Sequence, residues 1–265
     1  MTKTIIFTDL DGTLLHPKTY SFEDAAPALG VIIERDIPLI LCSSKTRAEM
    51  EVYRTRLKNK HPFIVENGGA VYVPTGYFTF PTGSVRDRSY IVTEFGAPYK
   101  EIRKNFASLR ESLGVSVKGF GDMSVEEISE VTGLSSDEAA LAREREYGEP
   151  FIFEQRPDDR FLQAIEERGL RWTQGRLYCL MGDHDKGKAI RLLKSWFQAE
   201  YGKLMTIGLG DGLNDLPLLS EVDRPVLIPK EDGSYDPRIE LPGLRKAKGT
   251  GPVGWNRAVL ELLKE

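Results

Sequence analysis

The stretch Thr4-Ile5-Ile6-Phe7-Thr8-Asp9-Leu10-Asp11-Gly12-Thr13-Leu14-Leu15 decides the fold. Its first five residues are apolar or β-branched, and the run is short and unbroken. Such a run suits a parallel strand covered on both faces. Asp11-Gly12 ends it. Gly12 lets the chain turn at the strand end, so that Asp9 and Asp11 can reach one point. One carboxylate can then act as nucleophile and the other as general acid and base.

Outward from there the same logic repeats. Ser21 and Asp24 resemble a capping box, opening a helix to about Arg35. Ile37 to Cys42 reads as a second buried strand, followed by Ser43-Ser44-Lys45-Thr46. A helix with Met50, Tyr53 and Leu57 on one face comes next. Phe63 to Glu66 is a third strand, Asn67-Gly68-Gly69 a turn, and Ala70 to Val73 the returning strand. This alternation predicts a Rossmann-like, doubly wound, mostly parallel α/β sheet. In such sheets ligands bind beyond the carboxyl ends of the strands. Asp9, Ser43 and Glu66 all fall there.

From about Arg86 the pattern changes. Helices are expected over Tyr99–Leu113, Ser135–Tyr147 and Pro157–Gly169. Strands are expected at Phe151–Glu154, Leu170–Thr173 and Leu177–Met181. These do not alternate in the parallel manner. Residues 86–181 therefore read as an α+β domain inserted between core segments 1–85 and 182–265. The α/β pattern then resumes with a helix over Lys186–Glu200 and strands at Leu204–Gly208 and Pro225–Ile228. A last helix is expected near Trp255 to Lys264. Residues 229–251 form one long irregular stretch, either functional or solvated surface.

The bulk properties exclude several classes. The chain has 265 residues, 40% hydrophobic and 29% charged, which is enough to bury a core without disulfides or structural metal. A net charge of −4 argues against a nucleic-acid binder. No Cys/His cluster has zinc-ligand spacing, and Cys42 and Cys179 sit in apolar runs as buried thiols. No apolar run approaches the ~20 residues of a membrane helix. The first residues are interrupted too early by Asp9 and Asp11 for a signal peptide. The expectation is a cytoplasmic protein without nucleic-acid or membrane partners.

Two further motifs carry chemistry. Gly208-Leu209-Gly210-Asp211-Gly212-Leu213-Asn214-Asp215 also follows an apolar strand. Carboxylates and amides clustered at strand ends suit Mg²⁺, and Asp9 with Asp211 would hold a charge that a cation must offset. Lys186-Gly187-Lys188 opens a helix, where a lysine and free backbone N–H groups make an anion site.

In this order the four elements resemble the haloacid-dehalogenase superfamily of phosphotransferases. The resemblance implies that Asp9 is the nucleophile and that Asp11 protonates the leaving oxygen and then activates water. It implies that Ser43 and Lys186 bind the phosphoryl group, Lys188 being the less favoured lysine. Asp9, the backbone carbonyl of Asp11 and Asp211 would hold Mg²⁺, with Asn214 and Asp215 in support. The insert resembles the type-two α/β cap, which closes over the site and sets specificity.

Narrower features also match. These are Ser43-Ser44-Lys45-Thr46, Glu66-Asn67-Gly68-Gly69-Ala70, Leu141 to Tyr147 with Pro150-Phe151, Asp185 to Ala189, and Gly251-Pro252 with Gly254-Trp255-Asn256. Together they resemble the mannosyl-3-phosphoglycerate phosphatase family. Its members hydrolyse mannosyl-3-phosphoglycerate to mannosylglycerate, and some relatives accept the glucosyl analogue. Gly212-Leu213 departs from the Ser-Pro or Ala-Pro often found there, without touching the carboxylates.

That resemblance implies a small phosphorylated glycoside as substrate, carrying a phosphate and a carboxylate. Arg143 and Arg145 could supply a bidentate partner for one of these; i,i+2 spacing puts them on different faces of a helix, so one is expected to point inward, surface charge beside Glu144 and Glu146 being the alternative. Arg176 is a further basic candidate. Glu66 and Asn67 are candidates for sugar hydroxyls, and Thr13, Ser44 and Lys45 complete the candidate substrate contacts. His16 and His184 read as loop histidines. The alternatives are a general sugar phosphatase, a phosphomutase of the same fold, or a non-catalytic sugar-phosphate binder.

Overall fold

The computed structural model describes residues 2–80 and 89–265. The expected boundary between residues 85 and 86 lies outside the described residues. The first segment runs β1 (Lys3–Thr8), α1 (Ala26–Glu34), β2 (Leu39–Cys42), α2 (Arg47–Arg56), β3 (Phe63–Val65), β4 (Ala70–Pro74) and β5 (Tyr90–Glu94). The second holds α3 (Tyr99–Leu113), β6 (Val117–Gly119), α4 (Val125–Thr132), α5 (Ser136–Ala142), β7 (Gly148–Phe153), α6 (Asp159–Glu167), β8 (Arg171–Gln174) and β9 (Tyr178–Met181). The third holds α7 (Lys186–Tyr201), β10 (Leu204–Gly210), α8 (Leu216–Ser220), β11 (Arg224–Leu227), β12 (Arg245–Lys246) and α9 (Gly251–Leu262).

One sheet has the order β12-β11-β10-β1-β2-β3-β4-β5. The strands from β12 to β3 are parallel, and β4 and β5 are antiparallel additions. Alternate residues of each central strand serve opposite layers. In β1, Ile6 joins the core beneath α1, α2 and α9, with Ile32, Met50 and Trp255. Ile5 and Phe7 join the opposite core, with Ile190, Leu193 and Phe197 of α7. In β2, Leu39 and Leu41 face the first layer and Ile40 and Cys42 the second. This two-sided burial is why the strands are continuous apolar runs. Each fully buried side chain of this size contributes about 1.5–3 kcal/mol.

The smaller sheet, β6-β7-β9-β8, is antiparallel throughout. Its core packs Phe106 of α3 and Phe161 of α6 against Phe151 and Leu180. Two expectations need correction. Residues 90–94 do not belong to the insert: Ala70 to Pro74 pair with Tyr90 to Glu94 in the large sheet. β4 is buried along Ala70–Val73, so its outer backbone groups require a partner strand. The helix expected to Tyr147 stops at Ala142, for a reason found in the site below. Among the described residues, no helix is long and apolar enough to cross a membrane.

Candidate active site

The parallel strands all end on one edge of the large sheet. Asp9 follows β1, Ser43 follows β2, Glu66 follows β3 and Asp211 follows β10. Asp9 is pinned from behind: its N–H donates to Leu209 O at 2.9 Å. The buried Trp255 of α9 donates to Thr8 Oγ1 at 2.9 Å, and that hydroxyl donates to Asp9 O at 2.7 Å. The loop after Asp9 closes on itself through Leu15 N to Leu10 O at 2.8 Å and Gly12 N to Leu15 O at 3.1 Å. Gly12 has φ +77°, and a Cβ there would lie 2.7 Å from Asp211 Oδ2. The turn therefore needs glycine twice, for its backbone and for the close approach of that carboxylate.

Asp9, Asp211 and Asp215 form one cluster, with a carboxylate oxygen of each within 4.8 Å of the others. Lys186 is fully buried, and its Nζ donates to Asp9 Oδ1 and Asp215 Oδ1, both at 2.6 Å. Asp215 Oδ2 accepts from Asp211 N at 3.0 Å and Gly212 N at 3.1 Å. Both oxygens of Asp215 are thus committed to holding the Asp211 loop and the lysine. Thr13 Oγ1 donates to Asp211 Oδ1 at 3.3 Å, so Thr13 steadies a carboxylate from within the core.

Three carboxylates face one ammonium. Burial, followed by repulsion from Asp215, pushes the Asp9 carboxyl up to about 7 against the pull of Lys186. Burial, then Asp215 and Asp9, raises Asp211 well above the ordinary range. For Lys186, burial acts downward, but Asp215 and Asp9 outweigh it and hold the ammonium above the usual lysine range. This uncompensated negative charge, built entirely from oxygen donors, fits a hard divalent cation such as Mg²⁺.

Asp11 forms an ion pair with Lys45 at 3.0 Å. Lys45 is nearly buried, also contacts Glu49 at 3.5 Å, and lies over the rings of Tyr20 and Tyr53 at 5.1 and 5.2 Å. It lines the cavity, but its charge serves Asp11. Ser43 is fully buried. Its N–H is spent on Ile64 O at 3.1 Å, so only the hydroxyl can serve the expected phosphoryl contact; the hydroxyl accepts from Lys45 N at 3.3 Å and keeps its own proton to donate.

A cavity of about 480 Å³ opens above these groups, and Asp9, Asp11, Ser44, Asn67, Asp211 and Asn214 contribute to its floor and walls. That volume suits a small-molecule ligand. Its roof comes from the insert. Asn214 Nδ2 donates to Asn67 Oδ1 at 3.3 Å, and a Cβ on Gly175 would lie 3.2 Å from Asn214 Oδ1. The β8–β9 turn therefore rests on the Asp211 loop. Thr46 Oγ1 donates to Leu141 O at 2.9 Å, tying α5 to the core.

Besides Thr13, which is buried and does not line the cavity, the candidates Glu66, Arg145, Arg143 and Lys188 and the loop reading of His184 need reassignment. Glu66 does not present its carboxylate to the cavity. It is 1% exposed, and it accepts from Glu146 N at 2.8 Å, Tyr147 N at 3.0 Å and Gly148 N at 2.9 Å. Three consecutive N–H groups aimed at one carboxylate are incompatible with a helix, which is why α5 ends at Ala142. Arg145 pairs with Glu66 at 3.3 Å and donates to Ser44 O through both terminal nitrogens at 3.1 Å. It borders the cavity, but its donors latch the insert to the loop after β2. Arg143 is exposed and does not line the cavity. Lys188 turns outward to Asp183 at 2.9 Å. His184 is buried against Glu66 O at 3.2 Å, and burial holds its imidazole down at about 4.

The 229–251 stretch turns out to matter. Lys230, Asp236 and Arg238 line the cavity, and Arg238 reaches Gln174 of the insert at 3.0 Å. Sequence reasoning missed these three. The available signal was position, because a long loop after β11 leaves from the same strand edge as Asp9.

Comparison with known proteins agrees with this geometry. A family model described as haloacid dehalogenase-like hydrolase matches residues 6–86. A glucosyl-3-phosphoglycerate/mannosyl-3-phosphoglycerate phosphatase of Methanococcoides burtonii is 46% identical, covering 98% of this chain and 97% of its own. A mannosyl-3-phosphoglycerate phosphatase of Pyrococcus furiosus is 38% identical over 84% of this chain and 90% of its own. Among solved structures, a haloalkanoate-superfamily phosphatase of Bacteroides thetaiotaomicron shares the fold, with a TM-score of 0.68 at 16% identity over 98% of this chain and 95% of its own. The chain belongs to the haloacid dehalogenase-like hydrolases and, within them, to the family of the glucosyl-3-phosphoglycerate/mannosyl-3-phosphoglycerate phosphatases.

Proposed function

We propose that this protein is a Mg²⁺-dependent phosphatase that removes phosphate from mannosyl-3-phosphoglycerate, with glucosyl-3-phosphoglycerate as a second substrate. The single observation that carries the chemistry is the buried cluster of Asp9, Asp211 and Asp215 around Lys186 at the floor of a roofed cavity. The dual-specificity relative matches through the insert as well as the core, which supports the dual substrate.

In the first step a carboxylate oxygen of Asp9 attacks phosphorus and the bond to the glyceryl oxygen breaks. Asp11, ionised against Lys45 in the free protein, accepts a proton when the anionic substrate enters and donates it to that departing oxygen, releasing the glycosylglycerate. Asp11, now ionised, takes a proton from water, which attacks the aspartyl phosphate. Inorganic phosphate leaves and Asp9 is restored. Lys45 holds Asp11 over the reacting centre, and Lys186 holds Asp9 while offsetting charge on the phosphoryl oxygens. Asp9, Asp211 and the backbone carbonyl of Asp11 would hold Mg²⁺, which supplies positive charge to those oxygens. Asp215 acts through Lys186 and the Asp211 backbone. The Ser43 hydroxyl donates to a phosphoryl oxygen.

The test is phosphate release from both glycosyl-3-phosphoglycerates and from a panel of sugar phosphates, with and without Mg²⁺. Release should depend on Mg²⁺ and vanish in Asp9→Asn. Wild-type turnover in that variant would sink the mechanism. Equal turnover of every sugar phosphate would sink the substrate assignment.

A further inference from the structure

Among the described residues, six cationic side chains line the cavity: Lys18, Lys45, Arg145, Arg176, Lys230 and Arg238. Five already face carboxylates. Lys18 pairs with Glu231 at 2.5 Å, Lys45 with Asp11 at 3.0 Å, and Arg145 with Glu66 at 3.3 Å. Arg238 grips Asp236 through two nitrogens at 2.9 and 2.7 Å, and Lys230 shares the same carboxylate at 3.2 Å. Arg176 differs. Among the described residues it has no acidic partner, and its side-chain hydrogen bond is from one terminal nitrogen to Tyr20 Oη at 2.9 Å.

That bond is well supported. Tyr20 is nearly buried, donates its own proton to Thr132 O at 3.1 Å, and adopts a left-handed φ of 53°. Non-glycine residues hold that conformation rarely, so the surrounding contacts fix the ring. The phenol thus sits between α4 and the β8–β9 turn and holds the guanidinium at the cavity. The same turn rests on the Asp211 loop through Gly175.

We propose that Arg176 binds the carboxylate of the substrate's glyceryl group. The proposal rests on the functional reading above and adds the group that reads the substrate's second anion. A phosphoglycerate carries two anionic ends on a three-carbon chain. The phosphoryl end goes to Asp9 and Lys186. The other end, entering a roofed cavity, needs a counter-charge that is not already neutralised. The free donors of Arg176 offer a planar pair matched to a carboxylate.

The test compares two substrates: glucosyl-3-phosphoglycerate and 2-O-glucosylglycerol 3-phosphate, which lacks only the carboxylate. Wild type should prefer the acid. Arg176→Ala should raise KM for the acid at least ~10-fold with kcat within a few-fold, the loss expected for a hydrogen bond to a charged group. It should leave the glycerol analogue unaffected, and Arg176→Lys should recover part of the loss. Equal losses on both substrates in Arg176→Ala, with the wild-type preference intact, would overturn the Arg176 assignment alone. A carboxylate-dependent loss in Lys230→Ala, and not in Arg176→Ala, would overturn it too. Absence of any preference in wild type would overturn the functional reading itself.

Discussion

The strongest test of the charge imbalance is to measure how Mg²⁺ stabilises the fold at two pH values. Burial and Asp215 lift the Asp9 carboxyl from 3.8 to about 7 in the metal-free protein. That displacement corresponds to ~4 kcal/mol against the ionised form. The sign follows from proton counting. Between pH 3.8 and about 7 the folded state holds a proton that the unfolded chain has released. The site's contribution to metal-free stability is therefore greatest at the bottom of that window and is lost as pH rises through about 7. Asp211, raised for the same reasons, acts in the same direction. Mg²⁺ competes with these protons, so its binding should strengthen as pH rises. With Mg²⁺ at ~100 times its dissociation constant at pH 8, the expected stabilisation is ~2.7 kcal/mol, or ~5–10 °C in Tm. At pH 5.5 the proton must first be displaced, which weakens binding ~30-fold and leaves ~0.9 kcal/mol, or ~2–3 °C. The assay is thermal unfolding in MgCl₂ and in EDTA at each pH. The difference at each pH cancels every titrating group that Mg²⁺ does not touch. Asp211→Asn should flatten it. An equal Tm shift at both pH values, or none, would refute the reasoning.

Other outcomes follow from the hydrogen-bond assignments. Glu66→Ala strands the buried Arg145 and three backbone N–H groups, and should cost ~3–5 kcal/mol in urea unfolding. A loss under ~1 kcal/mol would mean the latch contributes little. Lys186→Ala should lower kcat/KM at least ~100-fold, whereas Lys188→Ala, tied outside to Asp183, should stay within ~2-fold. Similar losses in the two variants would show that the lysines were assigned wrongly.

The chemical elements were legible in the chain because parallel sheets impose a simple rule. Every strand delivers its next residue to the same edge. Finding an apolar run before Asp9, Ser43 and Asp211 was enough to expect them together. The two-sided cores of β1 and β2 leave unbroken hydrophobic runs that cannot be mistaken for half-exposed strands.

Long polar side chains behave differently, because their targets are set by distant residues. Arg145 and Glu66 looked like substrate ligands, but Glu66 accepts from residues 146–148, some eighty positions away, and this contact also cuts short the helix expected there. Local propensity favoured helix through Tyr147; a buried carboxylate with three donors to satisfy outweighed it. Lys45 looks equally available along the chain, and only packing against the distant Asp11 neutralises it, whereas Lys230 and Arg238 meet Asp236 within their own loop. The backbone path and the meeting of Asp9 with Asp211 were thus determined by residue order. Which cation at the cavity lacks an acidic partner among the described residues, Arg176, was decided by tertiary structure, because a charge is free or neutralised only by what lies within a few ångströms of it in space.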